Sequence, residues 1–153
     1  TTRDGIRLFM DPVREIETIR GTRHAWKDAT AKPGENLLSA LEGDLWEIQL
    51  VLEPGDAKEA GIDVRGQPIR WRAADSTLLA PGGATPLPLE DGAVRIRALI
   101  DRSSVEVFGN GGRVAIVSCW LPDLLDRPPA LTAVGGTANI RSLEIWELRS
   151  AWR

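Results

Sequence analysis

Apolar side chains recur at every second position in two stretches of the chain, the period of a strand with one face on a core. In residues 44–54, Asp-Leu-Trp-Glu-Ile-Gln-Leu-Val-Leu-Glu-Pro, that period puts Trp46, Ile48, Leu50 and Leu52 on one face. Residues 94–100 repeat it after the turn pair Asp91-Gly92, with Val94, Ile96, Ala98 and Ile100 on one face and Arg95 and Arg97 on the other. A short polar run, Arg102-Ser103-Ser104, is followed by Val-Glu-Val-Phe at 105–108, by Gly109-Asn110-Gly111-Gly112, and by residues 113–119. That order reads as strand, hairpin turn, strand, so residues 94–119 are expected to form three neighbouring strands.

Residues 68–73 and 139–149 are further strand candidates, the second through Ile140, Leu143, Ile145 and Leu148 with imperfect alternation. Val13, Ile16 and Ile19 recur every third residue, which suits either a short helical turn or an irregular edge strand. Ten prolines and fifteen glycines gather between the periodic segments, notably at 80–88 and 126–129, and break any long helix. At least five or six short strands with such punctuation predict an all-β fold, a two-sheet antiparallel sandwich of jelly-roll-like arrangement. Residues 1–153 suit a single module of this kind, with no internal repeat and no linker dividing them.

Charge removes several function classes. The net charge of -3 comes from 22 acidic and 19 basic residues scattered along the chain, so nucleic acid and anionic membranes are not expected partners. No apolar run approaches the roughly 20 residues of a membrane span, and no signal-like segment opens the chain, so it is expected to be soluble. A single cysteine, Cys119, allows no intrachain disulfide. A single histidine, His24, makes a histidine-rich metal site or a Ser-His-Asp triad hard to assemble. No cofactor and no metal are expected. Cys119 reads as a small buried residue and His24 as a loop residue.

The run Leu-Ile-Asp-Arg-Ser-Ser-Val-Glu-Val-Phe-Gly-Asn-Gly-Gly-Arg at 99–113 resembles the signature hairpin of the C-terminal sandwich domain of glycoside hydrolase family 32, the invertases, levanases and inulinases. Asp-Gly-Ile-Arg-Leu-Phe-Met-Asp-Pro-Val-Arg-Glu-Ile-Glu at 4–17 looks like the segment that opens this domain. Ser-Leu-Glu-Ile-Trp-Glu-Leu-Arg at 142–149 looks like its closing strand. The resemblance covers essentially the whole chain. It implies an accessory domain, not an enzyme by itself, because the family's nucleophile and acid/base lie on a catalytic propeller whose motifs do not occur here. Asp11 precedes a proline, as a propeller aspartate does, but follows Met10 and is given no nucleophile role. The resemblance extends to family 66 carbohydrate-binding modules, sandwiches that capture the terminal fructose of fructans. It thereby implies a levan- or inulin-type partner, a neighbouring propeller, and an extracellular setting. At Cys119 many of the hydrolase relatives carry arginine.

The candidate site follows from the hairpin. Sugar hydroxyls are met by ionised carboxylates and planar guanidinium groups, often beside a ring face. Asp101, Arg102, Ser103 and Glu106 supply that chemistry around one tight turn, with Trp120 as a candidate ring platform. The competing reading has Asp101 capping its own turn and Glu106 pairing across strands with Arg95, Arg97 or Arg113. Trp46 reads as core, Trp71 and Trp120 as core or sugar platform, and Trp146 and Trp152 as cover for an edge near the C-terminus. Glu15 and Glu17 read as a solvated edge or as contacts to a neighbouring domain. Two carboxylates alone do not make a glycosidase, since a flat hairpin lacks a deep pocket to split their pKa values.

Overall fold

The computed structural model describes residues 5–119 and 127–150. Its strands are β1 (Arg20–Ala31), β2 (Trp46–Glu53), β3 (Glu59–Val64), β4 (Gln67–Arg72), β5 (Thr77–Ala80), β6 (Gly83–Pro86), β7 (Val94–Ile100), β8 (Ser104–Gly109), β9 (Val114–Cys119), β10 (Ala130–Val134) and β11 (Ala138–Leu148). They pair antiparallel into a six-stranded sheet, β1-β11-β2-β7-β8-β9, and a five-stranded sheet, β10-β3-β4-β5-β6. The two sheets face each other across one apolar core, making the all-β sandwich that the alternation predicts.

The inner positions are those the period of two selects. Trp46, Ile48, Leu50 and Leu52 of β2 and Val94, Ile96, Ala98 and Ile100 of β7 are all buried, against Ile62, Ile69, Leu78 and Leu131 of the other sheet. β7, β8 and β9 are consecutive neighbours, as expected for residues 94–119. The imperfect alternation of β11 has a local cause. Its pairing with β2 shifts between Ile140 and Ser142, so a bulge lets Ile140 and Leu143, three apart, both face inward.

Several expectations are corrected, and two open alternatives are resolved. The Pro/Gly-rich stretch at 80–88 is not simply a break: β5 and β6 form a hairpin there, turning at Pro81-Gly82 with Gly82 at φ 92°. His24 lies in no loop. It sits in β1, a largely polar edge strand whose alternation is obscured by a register shift between Arg20 and Arg23. There its ring is 2.9 Å from the Glu147 carboxylate and stacks on Trp26. Trp71 is core, 4% exposed, with its indole N–H donating to the Leu87 carbonyl at 2.8 Å. Cys119 is exposed at the end of edge strand β9, because outward positions there alternate as Ala115, Val117 and Cys119. The triplet Val13, Ile16, Ile19 resolves as a short 3-10 helix, Arg14–Ile19, with Glu15 and Glu17 exposed in its first turn.

The outer face of the six-stranded sheet reads as rows set by the register. Ser142, Val51 and Arg95 lie side by side; next come Glu144, Gln49, Arg97 and Phe108; then Trp146, Glu47, Leu99, Glu106 and Val117. The N-terminal segment straps across these rows. Met10 N–H donates to the Gly112 carbonyl at 2.9 Å, Asp11 pairs with Arg97 at 3.1 Å, and Arg149 N–H donates to the Ile19 carbonyl at 2.8 Å. Only glycine fits at 112, since a Cβ there would lie 2.0 Å from the Met10 carbonyl oxygen.

Candidate carbohydrate site at the outer sheet face

The β7–β8 turn is closed by its own backbone and capped by its own aspartate. Asp101 N–H donates to the Ser104 carbonyl at 2.9 Å, and Asp101 Oδ1 accepts from Arg102 N–H at 2.6 Å. This is the capping role that aspartate commonly takes in turns. The Arg102 guanidinium does not pair with Asp101 or Glu106. It donates through Nε to Asp44 Oδ2 at 2.5 Å, a hydrogen bond that raises its pKa. Ser103 is exposed at the tip. Trp120 lies outside the described residues.

Beneath the turn sits Arg65, from the β3–β4 turn of the opposite sheet and only 3% exposed. Its Nη1 donates to the Asp101 carbonyl at 2.8 Å and its Nη2 to the Asp44 carbonyl. Burial lowers its pKa against the raising pull of Asp44 and Asp101. One guanidinium thus ties the candidate hairpin to the loop before β2 and to the five-stranded sheet.

Glu106 behaves differently. It sits on the outward face of β8, opposite Leu99 and Val117, half-buried, and its carboxylate has no hydrogen bond or ion pair to any described residue. The arginines that could have paired with it lie beside other carboxylates: Arg95 and Arg113 are 3.9 and 3.6 Å from Glu90, and Arg97 contacts Glu47 and Asp11. Glu106 borders a depression of about 230 Å³, together with Asp101 and Ser104. Its apolar walls are Ile16 and Ile19 of the 3-10 helix and Leu99 and Leu148 of the sheet. The structure therefore brings Asp101, Ser104 and Glu106 to one pocket, while Arg102 is committed to Asp44.

The sequence reading missed the polar hub that anchors the strap. Glu47 is fully buried although it is on the outer face, because side chains roof it over. Arg20 binds it through two hydrogen bonds of 2.7 Å, Arg97 Nε approaches at 2.9 Å, and Gln49 Nε2 donates at 3.0 Å. The Arg20 guanidinium lies 4.2 Å over the Trp146 ring, completing the roof. Burial pushes the Glu47 carboxyl up, but the hydrogen bonds from Arg20 and Gln49 and the charge of Arg97 outweigh it and hold the pKa below the ordinary range. No single residue type signalled this: Glu47 is one charged outward position in a central strand, the usual appearance of a solvated residue.

Among the described residues no cluster of three or more histidine, cysteine or carboxylate side chains is placed to hold a metal ion. No described helix is long and apolar enough to cross a membrane.

Comparison with known proteins agrees with this architecture. A family model described as "Glycosyl hydrolases family 32 C terminal" matches residues 15–147. A levanase of Bacillus subtilis (strain 168) is 35% identical over 173 residues, an alignment covering 97% of this chain and 26% of the levanase. A sucrose-6-phosphate hydrolase of Escherichia coli is 26% identical, with 93% of this chain and 32% of that protein aligned. The fold matches fructan 1-exohydrolase IIa from Cichorium intybus with a TM-score of 0.82 at 15% identity, over 98% of this chain and 40% of that one. It matches exo-inulinase from Aspergillus awamori with a TM-score of 0.79 at 19% identity, over 99% of this chain and 34% of that one. In each case the chain spans well under half of the relative. With the family model running through both sheets of the sandwich, this chain belongs to the C-terminal domain family of the family 32 glycosyl hydrolases.

Proposed function

We propose that this chain is a non-catalytic sandwich domain that packs on the catalytic propeller of a fructan-cleaving glycoside hydrolase through its N-terminal strap. The observation that carries this reading is the apolar exposure of that strap. Ile6, Leu8 and Val13 are 95%, 81% and 69% exposed, and Phe9 and Met10 are about half exposed. Single exposed apolar residues are ordinary, but five within eight residues on a segment pinned to the sheet form an interaction surface. The relatives support a further domain as the occupant: the levanase and the fructan 1-exohydrolase are two and a half to four times as long as the part aligned here. The test mixes the chain with the separately produced propeller of the Bacillus levanase and follows association by size-exclusion chromatography and calorimetry. A one-to-one complex that is lost in an Ile6→Asp/Leu8→Asp variant of unchanged thermal stability is expected; equal association of that variant would remove the strap from the interface.

A second reading, recognition of fructose units in the manner of family 66 modules, is favoured by the unpaired Glu106 carboxylate facing an apolar-walled pocket. Glu106 and Asp101 would accept hydrogen bonds from vicinal hydroxyls, with Ser104 beside them. In this reading Arg102 and Ser103 belong to the same turn, between the pocket residues Asp101 and Ser104. Calorimetry with levan, inulin and free fructose is expected to show saturable heat that Glu106→Ala removes. Retention of full affinity by that variant would take the site away from this hairpin, and no heat with any of the three sugars would leave the docking role alone.

A further inference from the structure

A separate depression of about 270 Å³ opens on the same outer face over β11, β2 and β7, and it shares no lining residue with the Glu106 pocket. We propose that this depression is a second carbohydrate site, one that holds a single neutral sugar ring between Ser142 and Arg95.

The inference starts from unused hydrogen-bonding capacity. Arg97, in the wall, is engaged at each of its nitrogens, with Nε and Nη2 on Glu47 and Nη1 on Asp11. Arg95 is not: its contact to Glu90 is 3.9 Å, outside hydrogen-bond reach, which leaves a planar fork of N–H donors on a half-exposed side chain. Gln49 spends its Nε2 on Glu47, which fixes the amide and leaves its carbonyl oxygen as an acceptor. The Ser142 hydroxyl has no partner among the described residues. A donor fork, an acceptor and a hydroxyl that does both are therefore collected around the half-buried side chain of Val51.

The register sets the spacing. Ser142, Val51 and Arg95 occupy one row on three adjacent strands, so their backbones lie about 5 Å apart and the outer pair about 10 Å apart. A sugar ring over Val51 then reaches Ser142 on one side and Arg95 on the other, with Gln49 in the next row. Asp11 and Glu144 balance Arg95 and Arg97 in charge, so the local field favours neither an anion nor a cation. The volume falls just under the roughly 300–1,000 Å³ of pockets for larger ligands, which suits one ring and not a chain of them.

Amide chemical-shift mapping of the chain titrated with D-fructose and with D-glucose tests this. Saturable shifts of the Val51, Arg95 and Ser142 amides with at least one sugar are expected. Arg95→Ala should weaken binding about tenfold or more, as loss of a charged hydrogen-bond donor does. Ser142→Ala, which removes no contact within the protein, should weaken it by a smaller factor. Shifts confined to residues 101–106 would overturn the proposal while supporting the fructose reading of the Glu106 pocket. Absence of saturable shifts with either sugar, or unchanged affinity in both variants, would overturn it as well.

Discussion

A Glu47→Ala variant is expected to unfold with about 3–5 kcal/mol less stability than the parent, the cost of breaking a buried ion pair by removing one partner. The carboxylate is fully buried and takes hydrogen bonds from Arg20, Arg97 and Gln49, so its removal leaves two guanidinium groups facing each other over a hole. Their side chains are 19% and 18% exposed, so water relieves part of that charge and the lower half of the range is expected. The same hub makes stability pH-dependent. The folded pKa of Glu47 is depressed, so its contribution is fully present above the unfolded-state value and is lost as pH falls through the folded value, an acid-side loss. Urea titrations at neutral pH and at successively lower pH would show the parent converging on the variant as acid protonates Glu47. A neutral-pH difference below about 1 kcal/mol would mean that the cluster behaves as an ordinary surface pair. Because Arg20 and Arg97 also hold the strap, the variant should increase hydrogen exchange at the Met10 amide, which is bonded to Gly112.

The legible part of this fold is the part where one face is dry and the other wet. β2 and β7 announce themselves because every second residue enters the core, and the β8–β9 hairpin because Asn110-Gly111 sits between apolar runs, with Asn110 at φ 47° and Gly111 at φ 65°. β1 is hidden because an edge strand that meets the core only through Trp26, Ala29 and Ala31 shows little apolar alternation, and a bulge breaks what it has. β5 and β6 are hidden because each is four residues long and their turn carries the residues that usually end strands. The site is legible to a different depth. The sequence brings Asp101, Arg102, Ser103 and Glu106 close through one hairpin, but it cannot show that Ser104 and not Ser103 lines the pocket, that Arg102 reaches Asp44, 58 positions away, or that Glu106 is left unpaired. Long-range polar partners depend on sheet order, which alternation does not encode.

Arg65 shows how such a partner leaves a mark in the sequence, and its replacement carries the second large effect. Arg65 and Gly66 are the two central residues of the β3–β4 hairpin, at φ 51° and 77°, a geometry for which asparagine or aspartate is the favoured first residue. An arginine tolerates that backbone at a cost, and what offsets the cost is its guanidinium, which crosses to the other sheet and donates to the Asp101 and Asp44 carbonyls. Arg65→Met keeps the backbone preference and the side-chain length while deleting both hydrogen bonds. Bonds from a charged donor contribute about 1.5–3 kcal/mol each, so a loss of about 3 kcal/mol or more is expected in chemical denaturation. The loss should also be local: hydrogen exchange at the Asp101 amide should speed up more than at the inward-facing amides of β2. If global stability fell by this amount while Asp101 kept its protection, Arg65 would be acting through the five-stranded sheet alone. If stability fell by less than about 0.5 kcal/mol, the two carbonyls would have found water in its place, and the turn bearing Asp101 and Arg102 would owe its position to its own capping hydrogen bond.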